Sequence, residues 1–109
     1  MQRDEIFQLD NDPNSPKTPE KILYLAVILQ ALLDATKPTY DGEPDKAIIE
    51  RDRAIAWFFA SVGVTAEDFE TVCDNAGVNP LYMRNFAFKV LKSGEVEYVR
   101  KRINAVLGH

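Results

Sequence analysis

Apolar residues recur along this chain at helical spacings of three and four, and no segment alternates apolar and polar positions over a strand's length. The pattern predicts five helices. The first starts at Thr18-Pro19-Glu20, where a hydroxyl caps free amides, proline needs no donor and an acid suits the helix dipole. It runs to about Thr36. Leu25, Ile28, Leu29 and Leu32 form its stripe, and Ile22, Val27 and Leu33 widen that stripe until little polar face remains. Such a helix is either the centre of a bundle or half of a dimer interface. Pro44 opens a second helix that reaches about Ser61, with Ile48, Ile55, Phe59 and Val62 on one side and Glu50, Arg51, Asp52 and Arg53 as a charged belt. Trp57 and Phe58 near its end read as core aromatics.

Thr65 is expected to cap a third helix, with Asp68 completing an approximate capping box. Phe69, Val72, Cys73 and Ala76 give that helix an amphipathic face, and Gly77 ends it. Asn79 caps a fourth helix, Pro80 takes its first position, and Met83, Phe86, Ala87, Val90 and Leu91 repeat the period up to Ser93-Gly94. A fifth, roughly 95 to 107, is expected to bury Val96, Val99, Ile103 and Val106 and to expose Arg100, Lys101 and Arg102. The fold class is therefore all-α, a compact five-helix bundle with a helix-turn-helix-like unit over 65–92. Residues 1–17 read as an N-terminal arm and loop, and 18–109 as one helical domain.

Composition narrows the chemistry. At 109 residues, 46 % hydrophobic and 28 % charged, the chain suits a single folded domain. Cys73 is the only cysteine and His109 the only histidine, so neither a disulfide framework nor a Cys/His metal cluster is available. A serine or cysteine nucleophile lacks a histidine base, the glycines form no phosphate-binding loop, and the acid pairs Glu67-Asp68 and Glu95/Glu97 fall where helix starts favour carboxylates. Asp10, Asp12 and Asn14 open like a calcium loop, but Ser15 stands where the glycine is needed and Lys21 where the closing glutamate belongs. The expectation is a non-enzymatic protein without cofactor or metal. The N-terminus lacks the order of a signal peptide, and the best apolar run, "ILYLAVILQALL", is too short to span a membrane, which leads to a cytoplasmic expectation.

Charge changes the picture more. Net charge is −4, yet residues 81 to 109 hold six bases and two acids. The remainder is strongly acidic. The basic quarter includes the helix that follows "VCDNAGVNP", where Cys73 is the small residue at a helix crossing, Gly77 can take the turn, and Val72, Val78, Met83 and Phe86 lock the two helices. In a DNA-reading helix-turn-helix this second helix would enter the major groove. Arg84 would then face guanine and Asn85 adenine, Asn79, Tyr82, Lys89 and Lys92 would reach phosphates or flanking bases, and Arg100, Lys101 and Arg102 would add backbone contacts. Leu81 and Phe88, apolar and outward at i and i+7, fit equally with a protein interface. Two functions stay open on the sequence: a homodimeric DNA-binding regulator, and a small helical protein-interaction or assembly module that binds no DNA.

"AWFFAS" at 56–61, Phe69, Val72-Cys73, "AGVNP" at 76–80 and Arg84 resemble a pattern in small helical proteins of tailed bacteriophages and prophages. The resemblance spans residues 54–86. Those proteins more often carry aspartate where Asn79 stands and a larger aliphatic residue where Ala76 stands. The resemblance implies a phage or bacterial origin and an intracellular life, and no functional residue is carried over from it. Phages use such proteins for transcription control, for DNA recognition in packaging, and for binding host or phage proteins.

Overall fold

Burial of the apolar stripes organises the chain as the periodicity predicts. The computed structural model describes residues 18 to 108, which form α1 (Pro19–Ala35), α2 (Asp45–Phe59), α3 (Val64–Ala76), α4 (Pro80–Lys92) and α5 (Val96–Leu107). Among the described residues there is no strand. The expected arm and its calcium-like loop lie outside the described residues. So does His109.

Two helix starts use their own side chains. Thr18 Oγ1 accepts from the Lys21 amide at 3.1 Å, and Asn79 Oδ1 accepts from the Tyr82 amide at 3.0 Å. Each is followed by proline in the first turn, where its missing N–H leaves no bond unmade.

The centre of the bundle is α1, which packs on α3, α2 and α5. Ile28, Leu29, Leu32 and Leu33 are buried there, beside Phe58, Phe69, Cys73, Met83, Val90 and Ile103 in one continuous core. The apolar breadth of α1 is only partly used. Ile22 and Leu23 remain 54 % and 64 % exposed and Val27 is also exposed, so one side of the N-terminal half of α1 carries an open apolar surface while Ile28, Leu29, Leu32 and Leu33 are core.

Four expectations are corrected. α3 starts at Val64 after Gly63, so Thr65 lies inside the helix. The carboxylate of Asp68 is used elsewhere, accepting from the Trp57 indole N–H at 2.7 Å and joining the end of α2 to the start of α3. α2 ends at Phe59, which leaves Val62 outside any helix and 82 % exposed, while its buried side chains are Arg51, Ala54 and Phe58. Arg51 therefore leaves the charged belt. Its guanidinium makes a two-pronged salt bridge to Glu43, fastening the α1–α2 connection onto α2. Val106, in the last turn of α5, is half-exposed instead of buried.

Candidate nucleic-acid interface

The corner between α3 and α4 is built from backbone geometry. Gly77 adopts φ 74°, a left-handed conformation open to glycine at little cost. Its amide donates to the Asp74 carbonyl at 3.1 Å, and the Val78 amide donates to the Cys73 carbonyl at 2.9 Å. This paired ending satisfies carbonyls that α3 would otherwise leave open. Val78 then turns inward and is buried with Cys73, Val72, Met83 and Phe86. The thiol of Cys73 is fully buried, and burial, with the Asp74 charge second, pushes its pKa up to about 12. It packs as a small apolar group.

The inward face of α4 holds Met83, Phe86, Ala87 and Val90, so the opposite face must look outward. It presents Leu81, Tyr82, Asn85, Phe88, Lys89 and Lys92, all exposed. A shallow pocket of about 430 Å³ opens there between Tyr82, Asn85, Phe86, Phe88 and Lys89. The Lys92 ammonium sits 5.5 Å from the centre of the Phe88 ring. No carboxylate occurs anywhere in the α4 sequence, whereas every other helix carries at least one. The outward face of α3 is the opposite, with Glu67, Glu70 and Asp74 exposed.

Two arginines expected at the interface are placed elsewhere. Arg84 is half-buried, its Nε donates to the Phe58 carbonyl at 2.8 Å, one terminal nitrogen reaches the Ala60 carbonyl at 3.4 Å, and its guanidinium lies 5.1 Å from the centre of the Phe69 ring. Its guanidinium therefore closes the C-terminal end of α2 and is not presented for a guanine edge. Arg100 donates through Nη1 to the Leu33 carbonyl at 2.6 Å and to Thr36 Oγ1 at 2.9 Å, closing the end of α1. Helix C-termini carry partial negative charge and unpaired carbonyls, and neither α1 nor α2 has a basic residue in its own last turn. α3 and α5 share that lack, so it does not single out these two helix ends, and no sequence signal pointed to Arg84 or Arg100. Of the remaining expected contacts, Asn79 is spent in part on capping α4, Lys101 is exposed and Arg102 is half-buried.

Among the described residues, no group of histidine, cysteine, aspartate and glutamate side chains is arranged to hold a metal ion, and no helix is long and apolar enough to cross a membrane. The chain matches no known protein family, no curated protein and no solved structure.

Proposed function

We propose that this chain is a non-enzymatic, phage-type DNA-binding regulator in which α3, the Gly77 turn and α4 act as a helix-turn-helix. The observation that carries the reading is the acid-free outward face of α4, set beyond a tight glycine corner in an otherwise acidic protein. A polyanion is attracted to Lys89 and Lys92 there and repelled by the acidic outward face of α3. DNA is therefore met by α4 and not by the helix before it. One 13-residue helix offers little affinity alone, so the regulator works as a homodimer, with Ile22, Leu23 and Val27 of α1 as its seam.

The test is fluorescence anisotropy of labelled duplex fragments from the source genome, titrated with protein at about 50 and about 200 mM salt. Saturable binding that weakens with salt, and weakens further in Lys89→Ala/Lys92→Ala, is expected. Flat titrations at the lower salt would sink the proposal.

A second reading has its own observation. Leu81 and Phe88 are 63 % and 54 % exposed on either side of Asn85, and such an exposed apolar pair, with Phe88 lining the pocket, also suits a protein partner. In that case Phe88→Ser abolishes partner capture and DNA has no effect.

A further inference from the structure

The DNA-binding reading of α4 leaves open which base pairs its outward face would accept. Guanine is most often read by an arginine fork on its O6 and N7, and adenine by an asparagine or glutamine on N6 and N7. Thymine offers a methyl group to apolar side chains. The one arginine of α4, Arg84, has its guanidinium committed to the Phe58 carbonyl and stacked near the Phe69 ring, on the side of the helix that meets α2 and α3. What faces outward in the first half of α4 is Leu81, Tyr82 and Asn85, and Leu81 and Asn85 are followed by Phe88 one turn on.

Leu81, Asn85 and Phe88 share a line on the helix, at i, i+4 and i+7, and span about 10 Å along its axis. That length covers about three stacked base pairs at the ~3.4 Å per pair of a DNA strand. Leu81, Asn85 and Phe88 are exposed, and the pocket beside Asn85 and Phe88 has room for a small group such as a methyl. Lys89 and Lys92 lie toward the C-terminal end of α4, where a helix that enters the groove by its N-terminus meets phosphates.

We infer that α4 selects A·T base pairs, with Asn85 on the N6/N7 edge of adenine and Leu81 and Phe88 on thymine methyl groups. This inference rests on the DNA-binding reading, and the experiment separates the two. A randomised duplex library is enriched on the full-length protein, and the enriched duplex is remade with uracil in place of thymine, which removes only the methyl groups. Binding of both is then measured by anisotropy.

The enriched core is expected to be A·T, and the uracil duplex is expected to bind at least ~5-fold more weakly. In Leu81→Ala and Phe88→Ala the difference between thymine and uracil duplexes shrinks. In Asn85→Ala the preference for adenine over other bases is lost while salt dependence stays. A G·C core, or equal binding of thymine and uracil duplexes, overturns the inference and leaves the DNA-binding reading standing. Absence of any enrichment or binding overturns both. All three positions are exposed, and a circular dichroism melt of each variant matching the parent shows that the fold is intact.

Discussion

Arg84 shows how one side chain is claimed by the fold before it can serve an outer surface. Its guanidinium closes α2 by two carbonyl contacts of unequal length and lies over Phe69, so charge, hydrogen bonding and stacking coincide at one point. Arg84→Ala is expected to destabilise the protein by about 1–2 kcal/mol, less than a fully buried charged hydrogen bond because the residue is half-exposed. Thermal melts would register this as a drop of several degrees. Arg84→Lys restores only part of it, since an ammonium has no planar fork to stack and donate together. Cys73 makes a second residue-scale prediction. With the thiol buried and its pKa pushed up to about 12, a disulfide reagent at pH 8 should label the native protein only as fast as the protein opens. Rapid labelling under native conditions would contradict that burial.

At the scale of elements, the corner and the caps carry the energetics. Gly77→Ala forces a Cβ into the left-handed region and is expected to cost about 1–2 kcal/mol. Asn79→Ala removes the α4 cap for about 1 kcal/mol, and chemical denaturation would measure both. The α1–α2 connection adds a pH dependence. Hydrogen bonds from Arg51 and Lys37 hold the Glu43 and Glu50 carboxyls below the ordinary glutamate range. Their contribution is therefore complete above that range and disappears as pH falls through the folded-state values. Glu43→Gln is expected to lower the melting temperature at neutral pH and to flatten its decline in acid. These elements were legible in the sequence to different depths. Thr18-Pro19, Asn79-Pro80 and Gly77 could be read because a cap and the groups it satisfies lie within a few residues. The bonds of Arg84 to Phe58 and of Arg100 to Leu33 join residues 26 and 67 positions apart, and periodicity places neither pair in space. The outward line of Leu81, Asn85 and Phe88 was legible because the inward line of α4 was.

For the whole molecule, the distribution of charge decides what can approach and from where. Acids dominate the chain at a net −4, yet α5 carries Arg100, Lys101 and Arg102 against Glu97 alone and α4 has no acid, so long-range attraction for a polyanion is concentrated in the last two helices and is unopposed on α4. Adding salt should weaken DNA association at that helix, and with few basic side chains involved the slope should be shallow. In the homodimer Lys89→Ala/Lys92→Ala removes a pair of lysines from each copy and is expected to reduce the slope by about four, one for each lysine that contacts a phosphate, as read from anisotropy at a series of salt concentrations. The joint between α2, α3 and α4 also has an optical consequence. Trp57, the chain's one tryptophan, lies edge-on to Phe58 and Phe69 at 5.2 and 5.0 Å and donates to Asp68. It shares Phe69 with the Arg84 guanidinium. Its emission is thus a built-in gauge of that joint: loosening the joint shifts the spectrum to the red, and a ligand that occupies only the outer face of α4 leaves the colour unchanged.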